Sequence, residues 1–115
     1  MSAILDYKLE IFIPPEFAAA LAAALADAGV GRIGNYDHCL AMIEVRGFWR
    51  PLDGADPYLG TAGQVESAAE VKVEVNTTAE RIPAALAAIR RVHPYEEPVI
   101  NIIPLANRHF FTSAA

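Results

Sequence analysis

Two stretches decide the fold: Tyr7-Lys8-Leu9-Glu10-Ile11-Phe12-Ile13 and Val71-Lys72-Val73-Glu74-Val75. In each, apolar side chains alternate with lysine and glutamate, the period of a strand with one face buried and the other wet. The second is the cleaner, with three valines on one side and two charges on the other. The stretches lie about 64 residues apart and each leads into a similar segment, so the chain carries an internal repeat of a strand–helix unit. Pro14-Pro15-Glu16 ends the first strand and opens a helix. Proline suits the first helical position, and Glu16 faces the positive end of the helix dipole. Phe17, Leu21, Ala24, Leu25 and Ala28 form that helix's apolar stripe, and Gly29 suits its C-terminus. After the second strand, residues 79–92 carry Ile82, Leu86 and Ile89 at helical spacing, with His93 continuing the row. Thr77-Thr78-Ala79-Glu80 has the pattern of a capping box, but Pro83 would then remove a hydrogen bond inside the helix. The start is therefore set nearer Glu80, and Pro94 stops the helix after His93.

Each unit is followed by another strand. Residues 39–45, extending through Phe48 and Trp49, place Ala41, Ile43 and Val45 on one face and Leu40, Met42 and Glu44 on the other. Residues 99–103 are apolar on both faces, the pattern of a covered strand. Pro51, Gly54, Pro57, Gly60 and Gly63 mark a loop between the halves. The order βαββαβ predicts an α+β, ferredoxin-like sandwich, a four-stranded antiparallel sheet with two helices on one face. At 115 residues this is a single domain, with a core over about residues 6–105 and a tail over 106–115. The uncovered face is assigned Lys8, Glu10, Phe12, Leu40, Met42, Lys72 and Glu74, too apolar a mixture for water alone. That predicts burial against another copy of the chain, hence a homo-oligomer.

Composition narrows the function. The net charge of −5 gives no general basic footprint, so a nucleic-acid partner is not expected. Residues 1–6 lack a basic stretch followed by an apolar one, the pattern of a signal peptide. The most apolar segment, residues 17–28, is about twelve residues long and too short to cross a bilayer. A single cysteine, Cys39, allows no internal disulfide and fits a reducing compartment. A cytoplasmic protein with no membrane partner is expected.

The densest polar constellation is His93-Pro94-Tyr95-Glu96-Glu97-Pro98, an imidazole, a phenol and two carboxylates on a turn between prolines. Two readings stay open there. Histidine and glutamate suit a divalent metal or a small ligand; equally, His93 can satisfy the last helical carbonyls and Tyr95 can be a packed aromatic. A second polar turn, Asn35-Tyr36-Asp37-His38-Cys39, can add ligands, although Cys39 also fits a small buried residue at a strand start. The candidate ligand-binding residues are Tyr36, Asp37, His93, Tyr95, Glu96 and Glu97; the candidate metal ligands are His38, Cys39, His93 and Glu96. Gly29-Val30-Gly31-Arg32-Ile33-Gly34 follows a helix and precedes a strand, the wrong context for a phosphate loop, and is taken as a turn. Arg46 and Arg50 flank Phe48 and Trp49, a basic-aromatic group assigned to an oligomer contact in preference to base stacking. His109, Phe110 and Phe111 place the tail either frayed or docked on a neighbour.

Residues 7–16, 31–39, 48–57 and 93–98 together resemble the domain inserted into bacterial Nif-three-like proteins, which also occurs alone. The similarity runs to about Leu105, and the His-Pro-Tyr stretch is shared more loosely with CutA, the divalent-cation-tolerance protein. The resemblance implies a PII/CutA-like ferredoxin fold, assembly as a trimer, and a role in ligand or metal sensing. The dinuclear metal centre of the Nif-three-like proteins is held by their flanking domain, so the resemblance carries the fold and the insert motifs but not that chemistry. The expectation is a non-catalytic, oligomeric binding or sensing module whose cofactor, if any, is a divalent metal ion. The two polar turns would approach each other at a neighbouring subunit. The alternatives are a small enzyme with an inter-subunit cleft and a structural interaction domain.

Overall fold

The computed structural model describes residues 5–111. The readings that rest on residues 1–4 and 112–115 lie outside them. Four strands form one antiparallel sheet in the order β2-β3-β1-β4, with β1 Asp6–Ile13, β2 Leu40–Trp49, β3 Glu66–Thr78 and β4 Ile100–Leu105. Helix α1 (Ala18–Asp27) links β1 to β2, α2 (Ile82–Val92) links β3 to β4, and a short α3 (Asn107–Phe110) ends the described chain. This is the expected ferredoxin-like α+β sandwich.

The repeat survives in three dimensions. A single 3-10 turn precedes each long helix, Pro15–Phe17 before α1 and Ala79–Arg81 before α2. Pro83 falls in the first turn of α2, where its missing N–H costs nothing. The capping box does not form: Thr78 makes no side-chain cap bond. Leu9, Ile11 and Ile13 of β1 and Val71, Val73 and Val75 of β3 meet Leu21, Leu25, Ala85 and Ile89 of the helices in one core. Each large aliphatic side chain buried there is worth about 1.5–3 kcal/mol of transfer free energy.

Three expectations need correction. In an antiparallel pair, directly opposed residues share a face. Leu40 and Met42 oppose Val75 and Val73, so they lie on the helix side, and Ala41, Ile43 and Val45 share the open face with Glu74, Lys72 and Glu70. The open face thus exchanges Leu40 and Met42 for Ala41, Ile43 and Val45 and stays a mixture of charged and apolar groups. Its centre is a charge lattice in which Glu74 lies 3.1 Å from Lys8 and 3.2 Å from Lys72. Next, β4 is not covered within the chain: Ile102 and Ile103 stay 42% and 37% exposed. Exposed apolar side chains of the sheet lie on its edge strands, with Met42, Ile43 and Phe48 on β2 and Ile102 and Ile103 on β4. Finally, the described part of the tail is tied to its own chain: Arg108 donates two hydrogen bonds to Asp6, at 3.0 and 2.8 Å.

β3 is much longer than the alternating core of the motif. Its pairing with β1 stops at Ile13 and Val71, whereas its pairing with β2 continues to Trp49 and Glu66. Residues 45–49 and 66–70 therefore form a two-stranded arm that overhangs the end of β1. The loop at its tip folds back toward the turn after α2, and a cleft lies between them.

Candidate ligand-binding cleft

The cleft encloses about 550 Å³ and is lined by the arm, by the loop at its tip and by the turn at 95–99. Its floor is set by Glu70, the last arm residue of β3, which is only 6% exposed. Tyr95 donates its hydroxyl hydrogen bond to Glu70 Oε2 at 2.8 Å. Burial, and then the bond to Glu70, holds the Tyr95 phenol well above its ordinary range, so it remains a protonated donor. Across the ladder, Gly47 provides the space this carboxylate occupies: a Cβ there would collide with the Glu70 carboxyl group.

The turn after α2 acts as a clasp on three elements. The His93 ring donates from Nε2 to the Phe12 carbonyl of β1 at 2.6 Å, while Nδ1 accepts the Tyr95 backbone N–H at 3.2 Å. This pattern requires the neutral ring with its hydrogen on Nε2, and burial lowers the His93 pKa in the same direction. Tyr95 holds β3 through Glu70, and Glu96 holds the tip loop by accepting the Asp56 N–H at 3.0 Å. Trp49 adds a second tie, donating from Nε1 to the Leu59 carbonyl at 3.0 Å. The rings of Trp49 and Tyr58 each stand 6.0 Å from that of Tyr95, in tilted arrangements.

Of the residues singled out by sequence, Tyr95, Glu96 and Glu97 line the cleft, and His93 stands behind it with both ring nitrogens engaged. The other turn is elsewhere. Tyr36 is 74% exposed, Asp37 bonds His38 Nδ1 at 2.9 Å, and Cys39 Sγ points to the Asp37 carbonyl at 3.6 Å. The His38 ring holds the Asp37 carboxyl below its usual range. Cys39 precedes Leu40, which opposes Val75, and the strand from Val75 to Glu70 spans about 17 Å at about 3.3 Å per residue. Within one chain the two polar turns therefore do not converge, and among the described residues no three His, Cys, Asp or Glu side chains gather as a metal site. Sequence reasoning missed Glu70, Tyr58 and Gly47, and it placed Trp49 at an oligomer contact instead of in the cleft. Glu70 continues the valine–charge alternation of β3, so it looked like one more solvent-facing charge.

The fold is that of the CutA-like, PII-like α+β domains. The family model described as CutA1 divalent ion tolerance protein matches residues 58–111, which include Glu70 and the whole 93–98 turn. The chain is also similar to longer proteins. It is 43% identical over 98 residues to the GTP cyclohydrolase 1 type 2 homolog of Mycobacterium leprae, covering 85% of this chain and 26% of that protein. The crystal structure of a Bacillus cereus protein related to NIF3 superposes with a TM-score of 0.79 at 34% identity, over 91% of this chain and 27% of that one. The periplasmic divalent cation tolerance protein CutA of Archaeoglobus fulgidus superposes with a TM-score of 0.66 at 21% identity, over 87% and 83% of the two chains, a likeness of fold. The chain thus spans about a quarter of the length of the curated relatives it matches.

Proposed function

We propose that this chain is a non-catalytic, homo-oligomeric binding module of the Nif-three-like insert type, and that the cleft over Glu70 is where it takes a small ligand. The observation that carries this reading is the buried Glu70 carboxylate, held by the half-buried Tyr95 at the base of a walled cavity, with Gly47 kept small to admit it. A buried carboxylate held by one neighbour, with aromatic rings around it, is the composition of a small-molecule site. Thermal shift and Trp49 emission, measured with a panel of amines, carboxylates, amino acids and nucleosides, test it on the wild type and on Tyr58→Ala. Binding that raises the melting temperature and shifts the emission in the wild type, and is weakened in the variant, is expected. Silence across the panel refutes the reading.

Three copies are proposed, because the two edge strands of the sheet expose Met42, Ile43 and Phe48 on one side and Ile102 and Ile103 on the other, where pairing with a neighbour removes them from water. Light scattering is expected to return the mass of three chains, and a monomer at micromolar concentration overturns this. Placement in the cytoplasm belongs to the same proposal, supported by the free thiol of Cys39. The activity in the names of the longer relatives stays with those proteins.

A second reading, a divalent metal site, is favoured by the description of the matching family and by the clustering of Asp37, His38 and Cys39 on one turn. In this reading Glu96, and His93 once released from Phe12, would have to come from another copy. Calorimetric titration with zinc, copper, iron and manganese tests it, with Cys39→Ala and His93→Ala alongside. Affinity no tighter than about millimolar ends it.

A further inference from the structure

The hydrogen-bonding groups around the cleft are unevenly divided. Four lining side chains carry donors: Trp49, Arg50, Tyr58 and Tyr95. Two of them are already engaged within the chain, Trp49 Nε1–H by Leu59 and the Tyr95 hydroxyl by Glu70 Oε2. The acceptors are in surplus. Glu70 Oε2 is held, but Oε1 makes no hydrogen bond to another described residue and lies against the bare backbone of Gly47, which itself lines the cleft. Glu96 and Glu97 bring two further carboxylates to the same wall, against the single guanidinium of Arg50. An anionic ligand would face net negative charge and few free donors. An inorganic dication fits poorly as well, since the surrounding rings cannot ligate it and Glu70 offers one free oxygen.

A positively charged, donor-bearing organic group matches every part of this lining. Ring faces attract a cation within about 6 Å of their centroids, and most strongly where water is excluded. The Trp49, Tyr95 and Tyr58 rings form one continuous wall, with neighbouring centroids 6.0 Å apart. A carboxylate buried beside them supplies the counter-charge that a desolvated ammonium needs. We propose that the cleft binds a small organic cation, a protonated amine on an apolar or aromatic body. Its N–H groups donate to Glu70 Oε1 and to the Glu97 carboxylate, and its charge rests against the rings of Trp49, Tyr58 and Tyr95. The proposal rests on the reading of the cleft as a ligand site and names the class of that ligand.

Trp49 is the only tryptophan of the chain, so its emission reports occupancy of the cleft. Three probes of matched size and different charge separate the possibilities on the full chain: phenethylammonium, 3-phenylpropanol and 3-phenylpropionate, followed by Trp49 emission and calorimetry. The ammonium is expected to bind about tenfold or more tighter than the other two. Glu70→Gln keeps an acceptor for Tyr95 but removes the charge, and is expected to weaken the ammonium about tenfold while leaving the alcohol unchanged. Equal or tighter binding of the alcohol or the carboxylate overturns the cation proposal and leaves the cleft a ligand site. An unchanged ammonium affinity in Glu70→Gln also overturns it. Silence with all three probes overturns the cation proposal, while the reading beneath it falls only if the wider panel is silent as well. If Glu70→Gln loses its circular dichroism, Glu97→Gln and the wild-type comparison of the three probes decide.

Discussion

Replacing Gly47 by alanine tests the architecture of the cleft through the sign of one stability change. Glycine inside a strand is normally unfavourable, so alanine there should stabilise by about 0.5–1 kcal/mol. Here the added Cβ would collide with the Glu70 carboxyl group, which is buried and held by Tyr95. The carboxylate can make room only by giving up that bond, and a hydrogen bond to a charged group is worth about 1.5–3 kcal/mol. The balance is a net destabilisation of about 1–2 kcal/mol, which for a domain of this size lowers Tm by about 5–10 °C. In a Glu70→Ala background the obstacle is gone, and the same Gly47→Ala change should become stabilising. Urea and thermal melts followed by circular dichroism, at one fixed protein concentration because an oligomer's Tm depends on it, measure all four corners of this cycle. A Gly47→Ala variant that melts higher than wild type refutes the reasoning. So does one that loses the same stability whether or not Glu70 is present.

Tyr95→Phe leaves Glu70 buried without its hydroxyl partner and is expected to cost about 1.5–3 kcal/mol in urea melts; a neutral result would show that the carboxylate finds water instead. His93 contributes to the pH dependence of stability, because burial lowers its folded pKa below the ordinary value of about 6.5. The unfolded chain then takes up the proton first as pH falls, so stability is full above about 6.5 and declines from there toward the folded value. The urea midpoint should be lower at about pH 5.5 than at about pH 7.5, and the slope should flatten in His93→Asn; matching profiles for the two proteins would refute this. Leu25→Ala, at a fully buried α1 position, should lose about 2–5 kcal/mol. A loss below about 1 kcal/mol would mean the helix repacks against the sheet.

The fold was legible in the sequence wherever the hydrophobic pattern had a phase. β1 and β3 alternate apolar with charged, so their inward residues, Leu9, Ile11, Val73 and Val75, could be read directly and do form the core. β2 opens with Leu40-Ala41-Met42-Ile43, apolar at every position, and a period of two has no phase there. Its faces are fixed only by pairing with β3, so the apolar pattern alone puts Leu40 and Met42 on the wrong side. Of the arm, the β2 half is legible through Trp49, but the β3 half is not: Ser67-Ala68-Ala69 has weak strand preference and is extended because β2 pairs with it. The 93–98 turn was visible as a motif, but Glu70, its partner, obeyed the ordinary alternation of its strand and gave no sign of being buried.

The buried carboxylate at the base of the cleft thus lies outside the conspicuous motif, whose Glu97 and Tyr95 ring only line its wall, and hydrogen-bond accounting explains why. His93 has two ring nitrogens and both are engaged, one by β1 and one by the motif's own backbone. The Tyr95 hydroxyl has one hydrogen, and it goes to β3. Glu96 holds the tip loop. Each of these side chains joins the turn to a separate piece of the fold, so replacing any one of them should loosen the walls before it removes a contact to a ligand. Glu70 is the reverse case: one oxygen anchors it and the other is left open beside Gly47. A variant series should therefore separate along this line. Changes at 93, 95 and 96 should appear first in melting temperature, whereas the isosteric Glu70→Gln should appear first in affinity. A series in which His93 variants lose affinity at unchanged stability would assign the chemistry back to the motif.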